Sequence, residues 1–148
     1  MTTANITESP IQTTALPWMP LGQGVSARPL HFRGEERTLQ LRVVPGVRIP
    51  LHRHDGHVHA LGLSGRRRLG DGSVAGPGDY VFEPAGNVDS WACDGNEPCI
   101  VQITMTGRLT YLDADGGDGA WTDTPKFRQQ YLQWCNDRGI APWTRGAH

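Results

Sequence analysis

The chain has 148 residues, a length typical of one domain, and its 14 basic residues nearly balance its 15 acidic ones. This balance excludes an overall electrostatic preference for nucleic acid or for an anionic membrane. The N-terminal residues lack the pattern of a signal peptide, and no apolar segment approaches the length that spans a bilayer, so we expect a cytoplasmic protein.

Nineteen glycines and eleven prolines divide the sequence into short segments, most of which alternate apolar and polar residues. Alternation with a period of two predicts β-strands, and the stretches rich in glycine and proline predict turns. In chain order, the predicted strands are 27–33, 37–44, 58–63, 66–69, 80–83, 90–93, 99–105 and 108–112. Short strands at this spacing, without helical segments between them, predict an all-β sandwich or barrel.

One helix is predicted after the strands. Thr124 suits the N-cap, Pro125 suits the first helical position, and apolar residues then recur at helical spacing up to Gly139. We expect about three turns, packed across the mouth of the barrel or on a neighbouring subunit. The predicted organisation is a flexible N-terminal arm (1–17), a single β-domain (18–123) and a helix with its tail (124–148) that packs on this domain.

The three cysteines, Cys93, Cys99 and Cys135, are odd in number and lack CxxC spacing. This usage indicates reduced intracellular thiols rather than a disulfide framework. Cys93 and Cys99 flank a turn-like segment and could face each other across a hairpin, so the sequence leaves their pairing open.

Four of the six histidines lie within residues 52–59. On an extended strand, His52 and His54 point to the same face, where their imidazole nitrogens can reach one ion at about 2.0–2.1 Å. This spacing predicts a metal site. The alternative is that these are surface histidines that titrate in the ordinary range.

The remaining histidines of this cluster are separated by strand parity. His59 shares a face with Leu61 and Leu63, while His57 lies on the opposite face. If the two leucines line an apolar interior, His59 lies inside with them as a further ligand, and His57 lies outside.

Two segments, 46–65 and 78–89, resemble the motifs of cupins. The first family motif is a glycine, five residues, His-x-His, three or four residues, a glutamate and a later glycine; here it reads G-VRIPL-HRH-DGHV-H-ALGLS-G, with His59 in the place of the glutamate. The second is a glycine, five residues, Pro-x-Gly, two residues and a histidine; here it reads G-DYVFE-PAG-NV-D, with Asp89 in the last position. Two motifs in the right order make a specific signal.

The resemblance implies a small jelly-roll β-barrel with a metal held by His52, His54, His59 and Asp89. These are the ligand types of the common cupin site, with the carboxylate moved to the other strand. A face of two histidines and one carboxylate suits Fe(II) with open positions. The alternative for Asp89 is a capped, solvated aspartate after its turn.

More narrowly, the two motifs are similar to those of cupins of the 2,4'-dihydroxyacetophenone dioxygenase and acetylacetone-cleaving type. This implies an Fe(II)-dependent dioxygenase that uses O2 to cleave a C–C bond beside the carbonyl of a small hydroxyketone or diketone, with or without an aryl group. His59 would be a fourth ligand or the local base, and the protein would be a homodimer or higher homo-oligomer. Two alternatives stay open: a redox-neutral lyase, isomerase or cyclase with Zn(II), Ni(II) or Mn(II), and a non-catalytic metal-binding or sensing module.

Further pocket residues follow from strand parity and from the resemblance. The expected lining residues are Arg42, Leu61, Phe82, Trp91 and Gln102. Glu83 is expected, by analogy with the family, to hydrogen-bond a ligating histidine. Arg42 and Arg66 are candidates for binding an anionic or enolate oxygen. For each of these residues the alternative is an ordinary place in the core or on the surface.

Overall fold

Twelve strands and one α-helix follow one another along residues 7–144, the part of the chain that the computed structural model describes. The strands are β1 (Met19–Gly22), β2 (Val25–Arg33), β3 (Glu36–Val43), β4 (Arg48–His54), β5 (Val58–Ser64), β6 (Arg66–Arg68), β7 (Val74–Ala75), β8 (Tyr80–Glu83), β9 (Val88–Asp94), β10 (Cys99–Thr106), β11 (Leu109–Leu112) and β12 (Asp118–Thr122). The helix α1 spans Thr124–Arg138, and a short 3-10 helix at Thr13–Ala15 precedes β1.

The strands form two six-stranded antiparallel sheets. The first has the order β1-β2-β3-β10-β5-β8, and the second has the order β12-β11-β4-β9-β6-β7. Alternate residues face inward, as on β10, where Val101, Ile103 and Met105 are buried. The two inner faces enclose the core, and the predicted all-β fold is confirmed.

The eight predicted strands are all present, with ends that differ by at most two residues. The sequence analysis missed β1, β4, β7 and β12 as whole strands. Proline and glycine are rare in strands; β1 contains both, β4 contains a proline and β12 a glycine. The fourth, β7, has only two residues, too few for a period to appear.

An irregularity in β4 allows this strand to contain Pro50. Ile49 pairs with Trp91 and His52 pairs with Asp89, so three steps along β4 match two steps along β9. Such a one-residue excess is a β-bulge, and it changes which side chains face inward. Because of it, Ile49 and His52 are both buried although they are three residues apart, while Pro50 and Leu51 are exposed.

The helix begins one residue earlier than predicted. Asp123, not Thr124, is the N-cap, and its side chain accepts a hydrogen bond from the Lys126 amide at 2.9 Å. The helix ends at Gly139, whose φ of 65° is the left-handed conformation that favours glycine. Within the described residues, no helix is long and apolar enough to span a membrane.

The helix packs on the domain through one apolar face. Phe127, Tyr131 and Cys135 are buried, and the ring centroids of the first two lie 6.0 and 5.9 Å from that of Phe32 on β2. Of the predicted N-terminal arm, residues 1–6 lie outside the described part of the chain. The Leu16 carbonyl accepts a hydrogen bond from Arg28 at 3.4 Å, which connects the rest of that arm to β2.

Arg37 on β3 connects the start of the helix to the first sheet. Its Nη1 donates to the carbonyl of Gly107 at 2.9 Å and to the hydroxyl of Thr124 at 2.8 Å. The Thr124 hydroxyl in turn donates to the Glu35 carbonyl at 2.6 Å. Burial lowers the pKa of Arg37 to about 10, although the charge of Asp123 opposes the shift. This network fixes α1 at one end of the sheets.

The three cysteines are buried and carry free thiols. Cys93 donates to the Glu97 carbonyl at 3.2 Å, and Cys99 donates to the Arg66 carbonyl at 2.7 Å. Burial, together with the neighbouring Cys93, raises the pKa of Cys99 to about 12. The hairpin disulfide that the sequence left open is therefore not formed in this structure.

Candidate functional site

A chamber of about 500 Å³ lies between the inner faces of the two sheets, within the size range of small-molecule sites. Most of its wall is apolar and comes from both sheets and from the helix: Leu39, Leu41, Ile49, Val58, Ala60, Trp91, Ile103, Met105, Leu109 and Phe127. Polar side chains also reach it: Arg37, His52, His54, Arg67, Glu83 and Tyr111. An apolar wall with a few polar groups is the usual composition of a ligand site.

His52 and His54 lie side by side on the inner face of β4, as their spacing predicted. Each is 3% exposed, and their ring centroids are 4.9 Å apart with the rings at 90°. Nδ1 of His52 lies 2.7 Å from the Pro50 carbonyl at the bulge. Because a carbonyl only accepts, Nδ1 carries a proton in this contact, so in the neutral ring the lone pair is on Nε2.

The Nδ1 atom of His54 is buried and has no hydrogen-bond partner within residues 7–144. Burial lowers the pKa of His54 to about 4, and the charges of His52 and Arg37 act in the same direction. His54 is therefore neutral at pH 7. It offers the chamber an unpaired polar atom.

Arg67 on β6 is the chamber residue that the sequence analysis missed. It is 4% exposed, and its guanidinium carbon lies 5.0 Å from the centroid of the Trp91 ring. Its Nε and Nη2 atoms are buried and find no hydrogen-bond partner in the described part of the chain. Burial lowers the pKa of Arg67, while the charges of Glu83 and then Asp89 oppose this shift.

A signal for Arg67 was present in the run Arg66-Arg67-Arg68. The middle residue of a strand triplet faces opposite to its two neighbours. Arg66 and Arg68 face outward, where both pair with Asp94, at 3.7 and 2.9 Å. The sequence analysis considered Arg66 as an oxyanion-binding residue, whereas the residue that faces the chamber is its neighbour.

Glu83 on β8 also lines the chamber. The sequence analysis expected it to hydrogen-bond a ligating histidine. Its Oε1 instead accepts a hydrogen bond from Nδ2 of Asn87 at 2.7 Å. Glu83 therefore contributes negative charge near Arg67, not the expected histidine contact.

The prediction that His59 lies inside the barrel is wrong. His59 is exposed, and its Nδ1 hydrogen-bonds the Tyr80 hydroxyl on the outer face. Val58 and Ala60 face the chamber instead, while Leu61 and Leu63 are 39% and 42% exposed. The leucines were taken to mark the inner face, but here the small inner residues border an open chamber. His59 is thus neither a ligand nor a base for it.

Asp89 pairs with His52 across the strands, but its carboxylate bonds to the backbone. Its Oδ1 accepts from the Gly70 amide at 3.1 Å and from the Ser90 amide at 2.8 Å. This is the capped alternative that the sequence left open. No group of three or more His, Cys, Asp and Glu side chains among residues 7–144 is arranged to hold a metal ion, so the four predicted ligands are not brought together.

Of the predicted pocket residues, Trp91 lines the chamber. On β3 and β10 the odd-numbered residues face inward, so Arg42 and Gln102 lie on the outer face, where Gln102 accepts from Gln40 at 3.0 Å. Phe82 is 50% exposed, and Leu61 also faces outward. These four assignments are corrected for the same reason as that of His59: parity shows which residues share a face, but not which face is inner.

The sequence model of the ChrR cupin-like domain family matches residues 7–110. The chain belongs to the ChrR cupin-like family. The predicted cupin resemblance and jelly-roll barrel are confirmed. Among curated proteins, none matches the sequence.

Solved structures show the same cupin fold with different described roles. A cupin-like protein from Ralstonia eutropha JMP134 has 21% identity and a TM-score of 0.86, covering 97% of this chain and 94% of its own. An acetylacetone dioxygenase from Acinetobacter johnsonii has 17% identity and a TM-score of 0.70, and the match covers 90% of this chain and 99% of the dioxygenase. The anti-sigma ChrR, in complex with SigE from Rhodobacter sphaeroides, has 25% identity and a TM-score of 0.57, and the match covers 65% of this chain and 51% of ChrR. Identities this low establish the fold rather than an activity.

Cupins commonly bind metals, and the family motif places a glutamate ligand after three or four residues that follow His-x-His. With three residues between, this position is Val58, which faces inward but has no donor atom; with four, it is His59, which faces outward. Only His52 and His54 therefore offer lone pairs to the chamber from the predicted set. Two buried guanidinium groups, of Arg37 and Arg67, border the same space and repel a cation. The residues present do not fit the predicted four-ligand centre.

Proposed function

We propose that this cupin binds a small, largely apolar organic molecule in its chamber, with an oxygen-bearing group of the ligand at the polar end. The observation that carries the proposal is the chamber of about 500 Å³, whose lining includes His54 and Arg67, two residues with buried side-chain nitrogens that lack partners among the described residues. An unpaired buried polar group costs about 1–3 kcal/mol. A ligand that supplies the missing partners recovers this free energy on binding.

The two kinds of polar group suit different atoms of a ligand. Arg67 has donors only and suits a carbonyl or anionic oxygen, whereas the free Nε2 of His52 accepts a hydrogen bond from a hydroxyl. A hydroxyketone offers both atoms and matches the substrate class that the sequence resemblance implies. A ligand that fills the space along the apolar wall would displace water from these contacts and so strengthen them.

The test is ligand-observed NMR with acetophenone, 2-hydroxyacetophenone and acetylacetone. Ala60 faces the chamber and Leu61 faces outward on the same strand, so Ala60→Phe fills the chamber and Leu61→Phe is its matched control. We expect saturation transfer to at least one compound with the wild type and with Leu61→Phe, and a loss of it with Ala60→Phe. Equal signals from both variants, or none with any compound, would overturn the proposal.

A second candidate is the Fe(II) dioxygenase acting on a small hydroxyketone or diketone. The observation in its favour is the buried pair of His52 and His54, which lie side by side and both line the chamber. Anaerobic loading with Fe(II), followed by O2 and 2-hydroxyacetophenone, should then consume oxygen and yield carboxylic acids.

Turnover under anoxia with Zn(II), Ni(II) or Mn(II) would instead favour the redox-neutral lyase, isomerase or cyclase. Without either activity, the binding or sensing role remains.

We also propose that the protein is a cytoplasmic homodimer or higher homo-oligomer without nucleic-acid or membrane partners. The free thiols and the balanced charge of the chain support this location and these exclusions. A group of exposed apolar side chains on the outer face of the first sheet supports self-association: Leu61, Leu63, Tyr80 and Phe82. Exposed apolar groups of this kind are typical of protein interfaces.

A further inference from the structure

We propose that the chamber selects an organic anion, a monocarboxylate with a small apolar body, and that Arg67 binds its carboxylate. This inference rests on the proposed function, since it takes the chamber to be a ligand site, and it specifies the charge of that ligand. An enolate oxygen shares the same chemistry.

The first support is the edge of the Arg67 side chain that lacks partners. No side-chain nitrogen of Arg67 has a hydrogen bond within residues 7–144, and the two that are fully buried, Nε and Nη2, lie on one edge of the planar guanidinium group. Two parallel N–H groups on one edge match the two oxygens of a carboxylate. A neutral ketone, which has a single oxygen, satisfies this edge less completely.

The second support is the pairing of the other charges around the chamber. Arg37 is used by the Gly107 carbonyl and by Thr124, and Glu83 is hydrogen-bonded to Asn87. Asp89 is held by backbone amides. Arg67 makes no ion pair with any described residue, although its neighbours Arg66 and Arg68 both pair with Asp94. Its donors are therefore still available to a ligand, whereas the donor of Arg37 and the carboxylates of Glu83 and Asp89 already have hydrogen-bond partners.

The third support is that Arg67 is held in place before a ligand arrives. Its guanidinium group stacks on Trp91, which is itself buried. A donor that is already desolvated and fixed loses little entropy on binding, so the ligand gains most of the interaction. The apolar walls around this point then receive a ring or a short alkyl chain.

The experiment compares 3-phenylpropionate with its neutral analogue 3-phenylpropanamide by isothermal titration calorimetry. We expect the wild type to bind the carboxylate at least tenfold more tightly than the amide. Arg67→Met keeps the length of the side chain but removes the charge, and it should abolish this preference because it weakens carboxylate binding far more than amide binding. Arg66→Met, on the adjacent outward position, is the matched control and should behave as the wild type.

A third variant separates charge from shape. Arg67→Lys retains a cation but not the paired N–H edge, so it should keep only part of the preference for the carboxylate. Equal wild-type affinity for the two compounds, or a preference that survives in Arg67→Met, contradicts the anion proposal. If the amide and acetophenone still bind, the proposed function stands without it; if none of these compounds binds, both fail. Circular dichroism of each variant verifies that it is folded.

Discussion

The guanidinium carbon of Arg67 lies 5.0 Å from the centroid of the Trp91 ring, inside the chamber. A desolvated cation on an indole face gains about 2 kcal/mol. That gain offsets part of the cost of burying the charge, but the missing partners of Nε and Nη2 leave a deficit. A side chain that lowers the free energy of unfolding in this way is expected at a functional site, because functional residues are commonly retained at the expense of stability.

Replacing Arg67 should therefore stabilise the ligand-free protein. We expect Arg67→Met to raise the free energy of unfolding by about 1–3 kcal/mol, because an apolar chain removes a buried cation without a partner. Urea denaturation measures this change. Arg66→Met, at an exposed position, should stay within about 0.5 kcal/mol of the wild type. A destabilised Arg67→Met protein would show instead that Arg67 supports the fold.

Replacing Arg37 should have the opposite effect. Arg37→Met removes the donors to Gly107 and Thr124, so we expect a loss of about 2–4 kcal/mol in the free energy of unfolding. Hydrogen exchange should also become faster in the first turn of α1. Arg42→Met, on the outer face of the same strand, is the control. Equal stability of the two variants would mean that the network does not hold the helix.

The metal-free protein should lose stability as the pH falls from about 6.5 to about 4. His54 has its pKa lowered from 6.5 to about 4 in the folded state, so the unfolded chain takes up a proton at a higher pH than the folded one. This difference in proton binding should lower the free energy of unfolding by roughly 2 kcal/mol between pH 7 and pH 5. Urea denaturation in the presence of EDTA should show this loss in the wild type and in His57→Gln, and a smaller one in His54→Leu. Identical pH profiles for all three would refute the assignment.

The Cys99 thiol should be nearly inert in the folded protein. With its pKa raised to about 12, almost none of it is thiolate at pH 8. We expect alkylation by iodoacetamide, followed by mass spectrometry of the Cys99 peptide, to be at least a hundredfold slower in buffer than in urea. Rapid labelling, or a mass loss that reports a bond between Cys93 and Cys99, would be inconsistent with the buried thiols.

Self-association should depend on the outer face of the first sheet. Phe82 is 50% exposed there, so Phe82→Glu places a charge among exposed apolar groups and should convert a dimer to a monomer in light scattering. Leu51→Glu makes the same change at a similarly exposed position of the other sheet and should leave the mass unchanged. A wild type that is already monomeric would remove the basis for the dimer.

The sequence predicted eight of the twelve strands, the helix and the inward pair of histidines because alternation and capping residues are local signals. It did not predict His59 correctly, because alternation in β5 groups His59 with Leu61 without showing which face is inner. The larger apolar side chains do not mark the inner face of this strand, because the residues that border the chamber, Val58 and Ala60, are small. The inner position of Arg67 requires knowledge of how β6 pairs with β9, which is a long-range property.

The bulge at residues 50–51 has a consequence for how such a barrel can change. Deleting one residue there would remove the excess, so that two steps along β4 would match two along β9 while Ile49 and His52 still face inward. Regular pairing from Ile49 onward with every residue kept would instead turn Arg53 inward and both histidines toward solvent. The interior would then exchange two imidazoles for a third guanidinium without any amino-acid substitution. The extra residue in β4 therefore decides which side chains supply the chemistry of the cavity.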